Sequence, residues 1–215
     1  MPVTIMTYSG GGISAAGEHS SCLYGLLMSI TGLKIAVPAT PYDAKGLLKS
    51  AIREDNPVIF LYHLKLIFGG PKGEIPEDEY TIPLGKADIK REGSDVTVVA
   101  TALMVHRALA AAAKLQEKGV SVEVIDPRTL VPLDKQAIID SVRKTGRLVI
   151  MDEEPITGSA AGEIAAIVGE EAFDLLDAPM KRVCAPDTPV PFSPTLEKIW
   201  MPDEEDLIKA VTDIM

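Results

Sequence analysis

The sequence predicts an α/β fold in which strands alternate with helices around mainly parallel sheets. Runs of β-branched residues recur along the chain, and an alanine-rich or amphipathic segment follows most of them. Strand–helix–strand order of this kind favours right-handed crossovers that place helices on both faces of a sheet. With 47% hydrophobic residues among 215, the composition is that of a chain with a buried core and excludes a disordered protein.

The second part of the chain shows this alternation most clearly. Strands are predicted where β-branched residues cluster, at residues 95–100, 120–126, 147–151 and 181–185. Helices are predicted between and after them, at residues 104–118, 134–142, 158–168 and from Asp203 onwards. Gly119 ends the first of these helices, and Asp134 caps the second.

The first part of the chain has fewer elements. Strands are predicted at residues 3–7, 33–37 and 58–62, and helices at residues 18–30 and 43–53. Residues 69–83 are rich in glycine, proline and acidic side chains, which indicates a linker between units 1–83 and 84–215. Because so few strands make a thin core, we expect the first unit to belong to a larger sheet or to lean on another chain.

Charge and cysteine content narrow the possible partners and compartment. The net charge of −10 disfavours nucleic acid and anionic membranes as partners, whereas an acidic surface suits a basic protein. No apolar run reaches the roughly 18 residues of a membrane helix, and no signal peptide is visible near Met1. Cys22 and Cys184 lack metal or CxxC spacing, so we predict reduced thiols and a cytoplasmic location without membrane association.

Two features near the start of the chain have competing interpretations. Glycines 10–12 follow a predicted strand and either let the backbone approach a cofactor or form a flexible turn, and their spacing is not that of a phosphate loop. His19 begins a predicted apolar helix. Its imidazole suits proton transfer or carboxylate binding, although a backbone hydrogen bond at a helix end is the alternative. His63 and His106 are isolated in the sequence, so no histidine metal site is predicted.

Other polar segments lie at the ends of predicted elements. Residues 126–134 follow a strand, where open α/β sheets place ligands, but a structural role is favoured, with Arg128 able to pair with a carboxylate. Residues 152–154 (DEE) suit acid–base chemistry, yet a solvated acidic loop is the favoured interpretation. Residues 158–163 open a helix that could accept an anion or pack closely. Residues 51–57 form either a helix C-cap or a cation site of backbone carbonyls.

Several motifs together resemble one protein family. They are residues 17–20 (GEHS), 43–48 (DAKGLL), 56–60 (NPVIF) and 124–130 (VIDPRTL). Nearly the whole chain resembles the C-terminal two-thirds of the beta subunit of thiamine-diphosphate-dependent 2-oxo acid and acetoin dehydrogenases, in the transketolase superfamily. The resemblance implies a partial pyrimidine-binding-type α/β domain with its linker at residues 1–83. A complete transketolase C-terminal-type domain with a mainly parallel, helix-covered sheet follows at residues 84–215.

The resemblance also implies an activity and its partners. The family cleaves a C–C bond and passes the acyl unit to a lipoyl group, with a histidine at the position of His19 lining the active-site channel. An alpha subunit holds most of the thiamine diphosphate and magnesium in an α2β2 tetramer with a second beta chain, and a lipoyl acyltransferase core accepts the product. Acetoin, pyruvate and branched-chain 2-oxo acids all remain open as substrates, although residues 40–42 and 80–87 favour the acetoin type.

The resemblance further implies a site for a monovalent cation, usually potassium, built from backbone carbonyls. The matching positions are Val3, Ala51, Ile52, Glu54 and Asn56. The glutamate that activates the cofactor in the family would precede Met1, so the isolated chain is predicted to be inactive. Ser21, Met6 and Tyr62 replace the Gln, Arg and Glu common in the family. Two alternatives therefore stay open: a non-catalytic module that docks the acyltransferase core, or an inactive truncated remnant.

Overall fold

The computed structural model describes residues 1–215, which form nine strands and nine helices. The strands are β1 (Thr4–Ser9), β2 (Lys34–Ala36), β3 (Val58–His63), β4 (Asp88–Arg91), β5 (Val96–Ala100), β6 (Val122–Asp126), β7 (Thr129–Val131), β8 (Leu148–Pro155) and β9 (Lys181–Ala185). The helices are α1 (Ala16–Ser20), α2 (Tyr24–Met28), α3 (Pro41–Ile52), α4 (Leu64–Gly69), α5 (Leu103–Glu117), α6 (Lys135–Thr145), α7 (Ala160–Glu171), α8 (Pro194–Trp200) and α9 (Glu204–Thr212). A 3-10 turn lies at Phe173–Leu175.

The strands form two sheets, which confirms the predicted α/β fold. The first sheet has the order β1-β3-β2-β7, and the second has the order β4-β6-β5-β8-β9. All pairings are parallel except β2 with β7 and β4 with β6. Because β7 comes from the second part of the chain, the first sheet is completed by a strand from beyond residue 83.

Helices cover the second sheet on both faces, as parallel sheets require. Successive residues of β5 point to opposite sides. Val98 joins a buried cluster with Ala108 of α5, and Val99 joins another with Ile139 of α6 and Ile164 of α7. The near-continuous apolar sequence of these strands follows from burial on both faces.

Ion pairs connect the first part of the chain to the second beside α3. Asp43, fully buried in the first turn of α3, accepts hydrogen bonds at 2.7 Å from Arg128 Nε and from Lys90 Nζ. Asp88 contacts the same two basic side chains at 3.0 and 2.7 Å. Burial opposes ionisation of Asp43, but hydrogen bonds with Lys90 and Thr40 hold its pKa below the usual value. Arg128 thus makes the carboxylate pairing that the sequence left open.

The prediction of one continuous helix at residues 18–30 is wrong. Residues 18–30 form α1 and α2 with a break between them. Ser21 is extended, at φ −63° and ψ 131°, and its hydroxyl donates to the Gly17 carbonyl at 2.6 Å. Such a local side-chain bond competes with helical backbone hydrogen bonds. One continuous helix therefore does not form, although the apolar spacing predicted it.

The sequence also failed to predict β4, β7, α4 and α8. The two strands are short, and β4 has three charged residues among its four, at a sheet edge. Strand β8 continues beyond Met151 to Pro155, so residues 152–154 lie in a strand, at an irregularity in its pairing with β9. His106, on α5, is partly buried and donates from Nε2 to the Ala39 carbonyl at 2.7 Å, in keeping with a packing role.

One edge of the first sheet is β1. Its exposed side chains include Ile5 at 50%, Met6 at 52% and Tyr8 at 43%. An apolar strand edge without lysine or proline is a surface that proteins ordinarily cover. Among the helices, none combines the length and the apolarity needed to cross a bilayer.

Candidate functional site

His19 lies on the exposed side of α1, next to the β1 edge. Its Nδ1 atom lies 3.3 Å from the Tyr8 hydroxyl, and the two ring centroids are 6.2 Å apart. Tyr62 at the end of β3 extends this group, with its ring centroid 6.4 Å from that of Tyr8. The imidazole is therefore solvent-accessible beside two phenols, where it can exchange a proton with a molecule bound at this edge.

The glycine loop, residues 10–14, connects β1 to α1 and needs its glycines for a defined reason. Gly10 and Gly12 both have φ of +88°, which side chains disfavour. A Cβ atom on Gly10 would lie 2.1 Å from His63 Nε2, so any side chain there would collide with the imidazole ring. The close approach that the glycines permit is thus to His63, at the end of β3.

His63 is paired with a carboxylate that the sequence did not connect to it. Its Nε2 lies 2.7 Å from Glu153 Oε2, and both side chains are buried. His63 Nδ1 accepts from the Lys65 backbone N–H at 3.1 Å, so in the neutral ring Nε2 carries the proton and donates it to Glu153. The two residues lie 90 positions apart along the chain, which is why the sequence, in which His63 is isolated, did not indicate the pair.

Glu153 and Glu197 together hold the glycine loop. Glu153 Oε1 accepts from the Gly11 N–H, while Glu197 accepts from the N–H groups of Gly12 at 2.8 Å and Ser14 at 2.9 Å. Burial opposes ionisation of Glu153, but the His63 ring and the Gly11 N–H bring its pKa below the ordinary value. The N–H groups of Gly11, Gly12 and Ser14 are thus used by the chain's own carboxylates and are not free to hold a phosphate.

Residues 152–154 do not form the solvated acidic loop that was favoured from the sequence. All three side chains are buried. Glu154 accepts from the backbone N–H groups of Gly25 at 2.9 Å and Ala160 at 2.7 Å, and burial together with Asp152 raises its pKa to about 8. The prediction fails because the residues that cover this strand end come from distant parts of the chain. The segment that begins at Gly158 packs closely on α2, because the Gly158 carbonyl lies where a Cβ on Gly25 would be.

The carbonyls of the predicted cation site lie where α3 ends beside β1. The Val3 carbonyl accepts from the Val58 N–H at 2.9 Å, and the Ala51 carbonyl accepts from the Thr4 hydroxyl at 2.9 Å. These two bonds bring the start of β1 against the turn after α3. The Val3 carbonyl keeps further acceptor capacity, since an oxygen has two lone pairs, whereas the Ala51 carbonyl also accepts from the Glu54 N–H at 3.2 Å.

The other three predicted carbonyls, those of Ile52, Glu54 and Asn56, accept no hydrogen bond in this turn. The Glu54 side chain pairs instead with Lys34 at 2.7 Å and with the Asn56 amide at 2.9 Å. Carbonyl oxygens without hydrogen bonds at a helix end can act as ligands of a hard monovalent cation. No group of three or more His, Cys, Asp or Glu side chains is placed to hold a metal ion.

Two beta subunits of dehydrogenases are similar to this chain in sequence. The beta subunit of acetoin:2,6-dichlorophenolindophenol oxidoreductase from Bacillus subtilis is 53% identical over all 215 residues, which cover 62% of that protein. The beta subunit of the pyruvate dehydrogenase E1 component from the same organism is 45% identical, and the match covers 65% of its length. The chain thus spans less than two thirds of the length of these relatives.

A solved structure and two family models agree with these matches. A split-gene transketolase, described as an inactive β4 tetramer, superimposes with a TM-score of 0.80 at 25% identity, covering 99% of this chain and 66% of that one. The model for the transketolase pyrimidine-binding domain matches residues 1–68, and that for the transketolase C-terminal domain matches residues 85–207. The chain therefore belongs to the transketolase family, with a pyrimidine-binding segment followed by a C-terminal domain.

Proposed function

We propose that the chain is part of the beta subunit of a thiamine-diphosphate-dependent dehydrogenase. The reaction cleaves a C–C bond beside a carbonyl group and transfers the acyl unit to a lipoyl group. The observation that carries the proposal is the 53% identity to an acetoin oxidoreductase beta subunit across the whole chain. Acetoin is proposed as the substrate ahead of pyruvate because the pyruvate dehydrogenase subunit is less similar, at 45% identity.

The site geometry supports a model in which an alpha subunit binds the diphosphate and this chain contacts the substrate. The N–H groups of Gly11 and Gly12 are engaged by buried carboxylates, so they are not available to a diphosphate. In the proposed enzyme an alpha subunit holds the diphosphate and its magnesium. The cofactor, when bound, supplies the nucleophilic carbon for bond cleavage. His19, accessible beside Tyr8, orients the substrate or moves a proton.

The β1 edge supports a role for further polypeptide in the assembly. An apolar strand edge gains backbone hydrogen bonds when another strand covers it. In the proposed enzyme that strand and the glutamate that activates the cofactor come from sequence outside these 215 residues. A second beta chain and a lipoyl acyltransferase core complete the partners. We also propose residues 1–83 and 84–215 as the two structural units.

A potassium ion is proposed at the carbonyls of Val3, Ala51, Ile52, Glu54 and Asn56. Three of these oxygens lack hydrogen-bond partners in the turn, which supports the proposal. The ion would fix the end of α3 relative to β1, and with it the sheet edge that carries Tyr8. Side-chain substitutions would matter little to such a site, because the ligands are backbone atoms.

The proposal is tested by co-purification of the chain with its partners, followed by an activity assay. The tagged chain is purified from its own cells together with bound polypeptides, and reduction of 2,6-dichlorophenolindophenol is measured with acetoin and with pyruvate. We expect an alpha subunit in the eluate and acetoin-dependent dye reduction that requires added thiamine diphosphate and magnesium.

Three outcomes would contradict the proposal in whole or in part. Recovery of the acyltransferase without an alpha subunit, and without dye reduction, would identify a docking module instead. Dye reduction that needs pyruvate and ignores acetoin would retain the enzyme class and overturn the substrate. A purified chain without bound partners and without activity would indicate an inactive remnant.

A further inference from the structure

A cavity of about 300 Å³ lies on the side of the glycine loop that faces α4, α5 and α8. It is distinct from the His19 edge, because its polar lining comes from a different set of residues. These are Gly12, Ser14, Lys65, Arg107, Glu197 and Lys198. The volume is at the lower end of the range for small-molecule sites, so only a compact ligand would fit.

Three basic side chains from three different helices meet at this cavity. Lys65 comes from α4, Arg107 from α5 and Lys198 from α8. Arg107 donates to the Pro202 carbonyl, which anchors its guanidinium group without neutralising it. The side chains of Lys65 and Lys198 are exposed and have neither an ion-pair partner nor a hydrogen bond.

Many basic side chains of this chain, whose net charge is −10, are neutralised by carboxylates, whereas those at the cavity are not. Lys49, Lys90 and Lys135, for example, each pair with an acidic side chain. Placing three like charges around one cavity costs electrostatic free energy that a bound anion would recover. The convergence is therefore better explained by a ligand than by folding.

The one carboxylate that lines the cavity does not cancel these charges. Glu197 already accepts from the Gly12 N–H, the Ser14 N–H and the Ser14 hydroxyl. Three cations less this one anion leave a formal charge of +2 around the cavity. Glu153 lies deeper in the protein and feels the charge of Arg107, but it is paired with His63.

We propose that this cavity binds a small multivalent anion, through charge-assisted hydrogen bonds from Lys65, Arg107 and Lys198. The shared chemistry is that of phosphate and carboxylate groups, which accept from ammonium and guanidinium donors. A ligand bound here would bridge the glycine loop to α8, the helix that supplies Glu197. The site does not depend on the proposed activity.

Isothermal titration calorimetry of the full chain tests the site, with pyrophosphate in one arm and citrate in the other. We expect one site per chain for at least one of these probes, and binding that weakens as sodium chloride is added. The arm with the tighter binding identifies phosphate or carboxylate as the preferred group. Absence of saturable binding of both probes at low salt would overturn the proposal.

A double variant, Lys65→Gln with Lys198→Gln, should weaken binding by about tenfold or more, because two charge-assisted bonds are lost. Both side chains are exposed, so the unfolding midpoint without ligand should not change. The matched control is Lys72→Gln with Lys118→Gln, which removes two exposed, unpaired lysines outside the cavity. Equal weakening in both double variants would show non-specific charge attraction and would contradict the site.

Discussion

His63 Nε2 lies 2.7 Å from Glu153 Oε2, and this contact joins the end of β3 in the first sheet to β8 in the second. The two residues are 1% and 2% exposed, so the bond is shielded from water. Glu153 also accepts from Gly11, and the pair thereby sets the position of the glycine loop between them. A single carboxylate thus links both sheets to the segment that leads to His19.

Replacing Glu153 by glutamine should destabilise the protein by about 1–3 kcal/mol. The glutamine oxygen can still accept from Gly11, but its amide would point N–H groups at the His63 Nε2–H. Urea unfolding followed by circular dichroism measures the change. Glu170→Gln on the exposed side of α7 is the matched control and should change stability by less than about 0.5 kcal/mol. Equal midpoints for the two variants would contradict the structural role of the pair.

Two glycine substitutions separate backbone strain from steric collision. Gly119 has φ of +82° with open space around its Cβ position, so Gly119→Ala should cost only the left-handed strain of about 1–2 kcal/mol. Gly10 has a similar φ, so Gly10→Ala has the same strain. It also creates a collision with the His63 ring, which should cost about 1–3 kcal/mol more, the typical cost of overpacking a core. Thermal unfolding of both variants compares them directly. A cost for Gly10→Ala no larger than for Gly119→Ala would mean that the loop does not pack on His63.

Ionisation of Asp126 should lower the free energy of unfolding as the pH rises from about 4 to about 7. Burial is the main cause that raises its pKa from 3.8 to about 7. In that window the folded state holds a proton that the unfolded state has released. The stabilisation is therefore complete below pH 3.8 and is lost by pH 7, by at most about 1.4 kcal/mol per pH unit.

Asp126→Asn tests this dependence, because asparagine does not titrate and can still accept from the Arg128 N–H. Urea unfolding between pH 4 and pH 7 should give the variant a shallower slope than the natural chain. Glu154, with its pKa raised to about 8, contributes equally to both proteins and cancels in the comparison. Identical slopes would show that Asp126 is ionised in the folded protein throughout this range.

The sequence was a good guide to elements whose signal is local. The strands around Val98 and Val124 are apolar runs, and Asp134 and Asp203 cap their helices as predicted. The family motif at residues 43–48 lies on α3 and anchors the Arg128 pairing. The strands, caps and helix depend on neighbours within one helical turn or one strand, which is the information that a sequence pattern carries, whereas Arg128 lies 85 residues from Asp43.

Contacts between distant segments could not be predicted in the same way. The pairing of Glu153 with His63 joins residues 90 positions apart, and β7 joins the first sheet although it lies beyond the predicted linker. A run of acidic residues favours a solvated loop unless donors from elsewhere cover it. Here Gly11 and Gly25 supply those donors, and nothing in the local pattern around Glu153 and Glu154 indicates them.

His19→Asn should lower the turnover of the assembled enzyme by about 10²–10⁴-fold if the imidazole moves a proton. His19 is exposed, so stability should change by less than about 0.5 kcal/mol. Dye reduction with acetoin measures the turnover. His106→Asn serves as the histidine control, because its ring bonds to the Ala39 carbonyl and should affect stability rather than turnover. Full activity in His19→Asn would contradict the catalytic prediction.

Potassium should stabilise the chain if the carbonyls after α3 hold a monovalent cation. Unfolding midpoints are compared in potassium chloride and tetramethylammonium chloride at equal ionic strength, so that general screening cancels. At a potassium concentration tenfold above Kd, the gain should be about 1.4 kcal/mol.

Glu54→Gln distinguishes the kind of ligand in that experiment. The Glu54 side chain is engaged with Lys34 and Asn56, whereas the proposed ligand is its backbone carbonyl. A carbonyl site therefore keeps its potassium dependence in this variant, even if the loss of the Lys34 pair lowers the baseline stability slightly. Loss of the dependence would indicate a carboxylate ligand, and no difference between the two salts in the natural chain would remove the site altogether.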